Sequence, residues 1–279
     1  MSGLMIKSGY YIYNNYTNNQ MNNNISTAKS YNIITTILGN RVLLAPLLIF
    51  IIGAPTIFLT KLVFYLLNPD FLTHRVPTIS KAAAYAPGYY IFLAGTLPVC
   101  VCIITTVFLV YKLYIYRIDR LSLPHTKERN LKIIIITGCV CCILASLSLG
   151  LLSIISLKIN NPVHVGLSIA FFAFQSFAYI FDTISAIRIK KLAFIQHIDI
   201  DNLSLNGKPQ ICIILSVIAV FYLFMFLTKD SSLYSDEYLV HQVYTITEYI
   251  WANLAFLYPA LYYPEIKNHI KKHFVENNS

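Results

Sequence analysis

The sequence predicts an all-α membrane protein, a six-transmembrane-helix bundle with both termini in the cytoplasm. Three observations predict this fold: six long apolar runs, a low charged fraction, and basic residues gathered in alternate connections. A helix needs about 20 mostly apolar residues to cross a hydrocarbon core of about 30 Å. Backbone groups inside lipid must be bonded within the segment, so continuous runs of this length favour helices over strands. The runs are 43–67, 88–111, 133–157, 163–187, 211–228 and 239–264.

The composition excludes an ordinary soluble domain. Of the 279 residues, 57% are hydrophobic and only 12% are charged. A soluble domain has about twice that charged fraction. The net charge of +9 is compatible with nucleic-acid binding, but the basic residues are spread over several connections instead of one domain. The lipid bilayer is therefore the predicted partner, and nucleic acid is not.

The basic residues also predict an orientation. Sixteen of the 21 Lys and Arg residues lie in the N-terminal segment, the second and fourth connections and the C-terminal tail. Connections rich in positive charge stay in the cytoplasm, so both termini are predicted to be cytoplasmic. The same connections are predicted to contact anionic lipids, at about 1 kcal/mol per nearby basic side chain, and to recruit unidentified membrane or cytoplasmic proteins.

The chain divides into three predicted segments. Residues 1–42 are rich in Asn and Tyr and have no apolar periodicity, which predicts a disordered cytoplasmic tail. Residues 43–267 form the six-helix transmembrane domain, and 268–279 form a short cytoplasmic tail. The third and fifth connections are short, so spans three and four, and spans five and six, are expected to be antiparallel neighbours.

The fourth and sixth predicted spans carry the clearest ionisable side chains, Asp182 and Glu248, and such groups are costly in a membrane and mark candidate functional sites. Helical spacing places these residues on one face of the fourth span and one face of the sixth, so both faces are expected to point into the bundle and meet there. One interpretation is a polar pocket or proton-sensing pair with Glu248 opposite His164. The alternative is a set of hydrogen bonds that only fix helix packing, or for Asp182 an ion pair with Arg188. The candidate intramembrane polar site is His164, Gln175, Asp182, His241 and Glu248.

No catalytic residue, metal site or cofactor is predicted. The predicted spans contain no His-x-x-x-His pair, and the sequence has no Gly-rich phosphate loop and no Gly-x-Ser-x-Gly elbow. Cys139 and Cys142 share a helix face, but no His or carboxylate accompanies them, so packing is favoured over metal binding. Tyr263 to Ile266 has the form of an endolysosomal sorting signal, but it lies against the end of the sixth span, so an interfacial Tyr followed by a helix-ending Pro is favoured.

Three stretches, taken together in this order and spacing, resemble one family. Residues 76–80 read Val-Pro-Thr-Ile-Ser and lead through Pro87 to Ile91-Phe92; the fourth span opens with His164; and the sixth contains Thr247-Glu248-Tyr249. These are similar to the first lumenal loop, the His-led helix and the Glu-aromatic pair of the DRAM/Frag/Sfk family. Pro77, Ser80 and Pro87 are its loop-motif residues here. The chain departs from many members in having Ala86 and Gly88 where they have Pro and Glu, and Asp182 where Gln is frequent.

The resemblance implies a non-enzymatic multi-pass membrane regulator of autophagy or of endolysosomal or phosphoinositide membrane processes. It favours a lysosomal or endosomal membrane, with the plasma membrane or Golgi as alternatives. Two other functions stay open. One is a channel or transporter with a polar site around Glu248 and His164, and the other is an accessory factor in GPI-anchor lipid remodelling.

Overall fold

Each apolar run forms a helix in the computed structural model, which describes residues 42–69, 76–198, 207–228 and 237–276. The predicted tail lies outside these residues apart from Val42. The described residues contain no β-strand; they form a 3₁₀ turn, Val42–Leu44, and eight α-helices. The helices are α1 (Ala45–Leu67), α2 (Ile79–Ala82), α3 (Gly88–Arg120), α4 (His125–Ile154), α5 (Asn161–Ile195), α6 (Lys208–Thr228), α7 (Glu237–Ala260) and α8 (Tyr263–Glu276).

Local sequence explains where several helices begin. Asn160 caps α5, since its side chain accepts a hydrogen bond of 3.2 Å from the backbone N–H of Val163. Thr78 caps α2 in the same way, accepting from the N–H of Lys81 at 3.1 Å. At the other end of a helix, Arg120 lies in the last turn of α3, where positive charge complements the helix dipole.

Five of the described helices are long and apolar enough to cross a membrane: α1 with its preceding turn, α3, α4, α5 and α6. The sixth predicted span corresponds to α7, a continuous helix that is less apolar because it carries polar side chains such as Thr245, Glu248 and Asn253. Helices α3, α4 and α5 also extend past the predicted spans. For α3 the reason is visible in the sequence, because Tyr114 and Ile118 continue its buried face beyond residue 111. Likewise α8 continues through residue 267, where the sequence predicted a domain boundary.

The six long helices pack as a closed ring. In chain order, α1 packs on α3, α3 on α4, α4 on α5, α5 on α6 and α6 on α7, and α7 returns to α1. The predicted neighbours, spans three and four and spans five and six, are α4 with α5 and α6 with α7. Both pairs are confirmed.

Small residues allow close approach within this ring. A Cβ added at Gly95 of α3 would overlap the side chain of Thr56 on α1. A Cβ added at Gly53 of α1 would lie 2.8 Å from Cε2 of Phe256 on α7. Without a hydrophobic driving force between helices in lipid, such contacts provide the van der Waals packing that holds a membrane bundle together. A larger residue at either crossing would therefore force the side chain of Thr56 or Phe256 to move.

Cross-contacts define two ends of the bundle. At one end the Tyr89 hydroxyl, near the start of α3, donates to the carbonyl of Ile154 at the end of α4, 3.1 Å away. At the other, Gln196 after α5 donates to the carbonyl of Ser122 between α3 and α4, at 3.4 Å. We call the first the loop end, since it carries α2 and its loop. The second, which carries α8, is the basic end.

Candidate functional site

A buried carboxylate on α7 holds the loop that precedes α3. Glu248 is 4% exposed, and its Oε2 accepts a hydrogen bond of 3.0 Å from the backbone N–H of Ile79. Ile79 is the first residue of α2, where N–H groups have no partner within the helix and the helix dipole is positive. The carboxylate therefore satisfies an orphan donor and complements the dipole at the same time.

Two further side chains of α7 bind this loop. The Nε2 atom of His241 lies 3.2 Å from the carbonyl oxygen of Val76, and the Tyr249 hydroxyl donates to the carbonyl of Pro77 at 3.1 Å. Lys61 of α1 lies over the Tyr249 ring, with Nζ 4.2 Å from its centroid, a cation–π distance. We call the contact of Glu248, His241 and Tyr249 with the loop the loop clamp.

The loop clamp joins residues that the sequence pointed to separately. Pro77 is buried beneath it, and Ser80 is half-buried in the following turn. Pro87 is exposed, and its carbonyl accepts from the N–H of Tyr90 at 3.0 Å and of Ile91 at 3.2 Å, so it begins α3. Two residues of the predicted polar site, His241 and Glu248, thus act on the loop motif.

His164 also lies at the loop end, but it bonds to a different connection. Its Nδ1 is 2.6 Å from the carbonyl oxygen of Ile155, which ties the start of α5 to the end of α4. A carbonyl oxygen only accepts, so Nδ1 carries the proton. The other ring nitrogen, Nε2, is buried without a hydrogen-bond partner. The hydrogen bonds of His164 and Glu248 go to separate loops, and their pairing as a proton sensor stays a prediction.

Asp182 lies between α3 and α7 toward the basic end. Its Oδ1 accepts from the Tyr114 hydroxyl at 2.9 Å and its Oδ2 from the Tyr258 hydroxyl at 2.7 Å. The expected ion pair with Arg188 is wrong, because Arg188 is exposed while the carboxylate faces two tyrosines. Six residues along a helix place the two side chains on different faces, which the proximity in sequence did not reveal.

Aromatic side chains join α5 and α7 inside the bundle, whereas the meeting of His164 and Gln175 with His241 and Glu248 stays a prediction. The rings of Phe172 and Trp251 lie 4.2 Å apart, and the Tyr179 hydroxyl donates to the carbonyl of Ala255 at 2.5 Å. Gln175, between these contacts, is 2% exposed, and its Oε1 is buried without a hydrogen-bond partner. Large aromatic side chains therefore join two helices that do not touch closely along their backbones.

A buried charge cluster closes the basic end. Glu265 of α8 binds Nζ of Lys208 at 2.6 Å and an Arg117 guanidinium nitrogen at 3.0 Å. All three side chains are at most 2% exposed. The Nζ atom of Lys208 also lies 3.5 Å from the centroid of the Tyr262 ring. The hydroxyl oxygen of Tyr262 is 3.3 Å from that of Tyr114, which also bonds to Asp182. The cluster joins α3, α6 and α8.

The sequence interpretation missed this cluster, since it assigned Arg117 and Lys208 to solvated connections. One signal was present: Arg117 lies at helical spacing from Leu113 and Tyr114, on the face that continues the apolar side of α3. Glu265 also stood out as a carboxylate among basic residues. No local signal in the sequence pairs these residues with each other.

The sorting-signal form of Tyr263 to Ile266, which the sequence disfavoured, is not available on the surface, and Pro264 lies in the first turn of α8 instead of ending a helix. Ile266, the apolar residue that an adaptor would have to bind, is 1% exposed, and the neighbouring Glu265 belongs to the charge cluster. The burial of Ile266 contradicts the sorting interpretation.

The exterior of the basic end is strongly positive. Among the side chains that the structure describes, seven Lys and Arg are exposed at this end and two, Lys81 and Lys158, at the loop end. Lys132, near the start of α4, is half-buried and forms an ion pair with Glu128 at 2.6 Å. We call the seven the basic surface: Arg120, Lys127, Arg129, Arg188, Lys190, Lys191 and Lys267.

The arrangement offers binding and positioning chemistry. Within the described ranges, no three His, Cys, Asp or Glu residues come close enough to hold a metal ion. The carboxylates of Glu248 and Asp182 accept hydrogen bonds from the protein itself, and Glu265 forms ion pairs with two cations. These groups fix a loop and several helices, and the basic surface presents positive charge outward.

Comparison with known proteins identifies one family. The model described as the Frag1/DRAM/Sfk1/Cwh43P N-terminal domain matches residues 41–269, which includes all the long helices, the loop clamp and the charge cluster. No curated protein and no solved structure matches the chain.

Proposed function

Because the chain belongs to the Frag1/DRAM/Sfk1/Cwh43P N-terminal domain family, a family of multi-pass membrane proteins, we propose that it is a non-enzymatic membrane regulator. In this proposal it acts in autophagy or in endolysosomal or phosphoinositide membrane processes. Its basic surface recruits cytoplasmic proteins or contacts anionic lipid headgroups. The helical bundle serves as the scaffold that holds this surface at the membrane.

The proposal includes six spans with both termini in the cytoplasm. Alternation of the helix ends supports it: α3, α5 and α8 reach the basic end, and the loop end holds α2 and the start of α7. Positive charge then faces the cytoplasm. Asn15 and Asn202 lie in Asn-x-Ser/Thr sequons on that side, so glycosylation of either would contradict this orientation.

One observation carries the proposal: of the basic side chains in the described ranges, seven are exposed at one end of the bundle and two at the other. Each basic side chain near an anionic membrane contributes about 1 kcal/mol to the attraction. The buried cluster of Arg117, Lys208 and Glu265 positions α8 beneath this surface. These ion pairs hold α8, which carries Lys267 of the basic surface, against α3 and α6.

Neutralising part of the basic surface tests the recruitment role. Full-length protein with Lys190→Gln and Lys191→Gln is expected to lose co-purifying cytoplasmic partners and to change its distribution among lysosome, Golgi and plasma-membrane markers. The matched control is Lys81→Gln with Lys158→Gln, which removes the same charge from the loop end. Recruitment and localisation that survive the first pair unchanged would overturn the proposal.

A second candidate function is a channel or transporter. It draws support from buried polar atoms without hydrogen-bond partners, among them Gln175 Oε1 on α5 and Thr245 Oγ1 on α7. A permeating polar solute would satisfy such atoms. This function predicts a pH-dependent flux in reconstituted vesicles that Glu248→Gln alters while the protein stays folded. Absence of flux in the parent protein excludes it.

Analysis of GPI lipids distinguishes the third candidate, an accessory role in GPI-anchor lipid remodelling, from the regulator role. Cells lacking this protein would show altered GPI lipid chains under that role, and unaltered chains under the regulator role. Localisation to the lysosome or endosome, the location we favour, would agree with the regulator role.

A further inference from the structure

A group of exposed side chains lies at the loop end, where the loop before α3 meets the connection between α4 and α5. Tyr85 is 53% exposed and Tyr90 is 63% exposed. The rings of Tyr89 and Tyr90 pack edge to face with their centroids 5.4 Å apart, and Nζ of Lys158 lies 5.2 Å from the centroid of the Tyr85 ring. Ile159, beside Lys158, is also exposed. We call these five residues the tyrosine patch.

The tyrosine patch continues the exposed apolar face of α3. Exposed residues recur along this helix at steps of three, four or seven, the spacing of a single helix face. Because α3 is long and apolar enough to cross a membrane, this face meets the lipid chains. Tyr90 lies on the same face, at its loop end. In chain order, the residues of the face are Tyr90, Ala94, Leu97, Val101 and Phe108.

The neighbouring helix α4 carries a second exposed apolar face that ends at the same place. The Tyr89 hydroxyl donates to the carbonyl of Ile154, the last residue of α4, so the two faces end side by side. Lys158 follows Ile154 by four residues in the connection to α5. The exposed residues of α4 on the loop-end half of the helix are Leu144, Leu147, Leu151 and Ile154. The tyrosine patch is therefore continuous with the lipid-facing surface of both helices.

The composition of the tyrosine patch fits the headgroup layer of a leaflet. Tyrosine concentrates at the membrane–water interface, because its ring is apolar and its hydroxyl is polar. A lysine there lays its carbon stem along apolar surface and keeps its ammonium group in the polar layer. The negative group that a phospholipid presents in this layer is its phosphate. The ammonium group of Lys158 is therefore complementary in charge to a phospholipid headgroup.

We propose that the tyrosine patch binds a phospholipid of the leaflet at the loop end. The rings of Tyr85 and Tyr90 lie at the depth of the lipid glycerol group, and Lys158 binds the lipid phosphate. The loop before α3 is then held from two sides, by the loop clamp within the bundle and by lipid at Tyr85. The site lies at the end opposite the basic surface, so it is independent of the proposed recruitment role.

Fluorescence quenching measures the depth of the tyrosine patch in the full-length protein. The chain has a single tryptophan, Trp251, which is fully buried, so the parent protein supplies the background signal. Tyr85→Trp and Tyr90→Trp place a second tryptophan in the patch. Each variant is reconstituted in vesicles of phosphatidylcholine brominated either near the chain carbonyls or near the chain ends, and iodide is the quencher in water. The added tryptophans are expected to be quenched most by bromine near the carbonyls.

Val101→Trp provides the matched comparison for depth. Val101 lies on the same face of α3 as Tyr90, eleven residues and about 16 Å further along the helix. Its tryptophan is expected to be quenched more by bromine near the chain ends than by bromine near the carbonyls. Strong iodide quenching of Tyr85→Trp and Tyr90→Trp without quenching by either lipid would overturn the proposal. Stronger quenching of these two by chain-end bromine would also overturn it.

A competition between two lipids tests the phosphate contact. The Tyr85→Trp protein is reconstituted in mixtures of carbonyl-proximal brominated phosphatidylcholine and digalactosyl diacylglycerol, a bilayer lipid without phosphate. Quenching is expected to exceed the share of brominated lipid, because the site prefers the lipid that carries a phosphate. Adding Lys158→Gln should remove this preference, whereas adding Lys81→Gln, which neutralises another exposed lysine of the loop end, should leave it. Quenching proportional to the brominated share in all three proteins would overturn the proposal, and so would equal effects of the two lysine substitutions.

Discussion

The Glu265→Gln substitution probes how far the basic end depends on its buried carboxylate. Glutamine keeps the size of the side chain and one oxygen acceptor, so packing is preserved. The negative charge that binds Arg117 at 3.0 Å and Lys208 at 2.6 Å is removed. The two cations then stay in place at 2% and 0% exposure without their carboxylate partner.

The expected effect is large because the cations are desolvated. Removing one partner of a buried ion pair costs about 3–5 kcal/mol. With the temperature dependence of soluble domains of similar size, this lowers the melting temperature by on the order of 10 °C. Glu128→Gln is the matched control, since Glu128 pairs with Lys132 at 2.6 Å while both side chains are about one-third exposed. An exposed pair contributes only about 0.2–1 kcal/mol.

The assay is thermal unfolding of full-length protein in detergent, followed by size-exclusion chromatography of the fraction that stays monodisperse. Glu265→Gln is expected to melt well below the parent, and Glu128→Gln within a few degrees of it. Adding Lys208→Met to Glu265→Gln should recover part of the loss, because one of the two uncompensated cations is removed. Equal melting temperatures for Glu265→Gln and Glu128→Gln would refute the structural role of the cluster.

Two further predictions concern the ring and the loop. Gly95→Ala should destabilise the protein by about 1–3 kcal/mol, because the added methyl group would overlap the side chain of Thr56. Gly166→Ala is the control and should leave the stability unchanged, since nothing lies within 4 Å of the added atom. Thermal unfolding measures both variants. Glu248→Ala should lower the stability by about 1–3 kcal/mol and speed hydrogen exchange at the Ile79 amide, since that buried donor loses its acceptor. Glu248→Gln keeps an oxygen acceptor, so the Ile79 amide should exchange more slowly in this variant than in the alanine variant. Identical exchange in all three proteins would contradict the loop clamp.

The burial of the polar faces was predictable, and their partners were not. Helical spacing placed His164 and Gln175 on one face and Glu248 on another, and all three are at most 4% exposed. Each buried polar group needs a hydrogen-bond partner, but a backbone group in a loop serves as well as a side chain. Glu248 bonds to Ile79, 169 residues away, which no pattern in the sequence identifies.

Arg117 shows a second limit. Bilayer thickness placed the end of the second span at residue 111, and everything beyond it was treated as solvated. Helix α3 continues to Arg120, and α8 covers its buried face with Glu265, 148 residues later in the chain. A cation counted as part of the cytoplasmic charge is therefore inside the fold, and the exposed positive charge is carried by its neighbours.

By itself, the sequence determined the helices, their apolar surroundings and the faces that turn inward, because these follow from composition and spacing over about 20 residues. Tertiary structure alone decided which groups meet: Glu248 with the loop before α3, Asp182 with two tyrosines, and Glu265 with Arg117 and Lys208. Those contacts join segments far apart in the chain, so they depend on how the ring of helices closes.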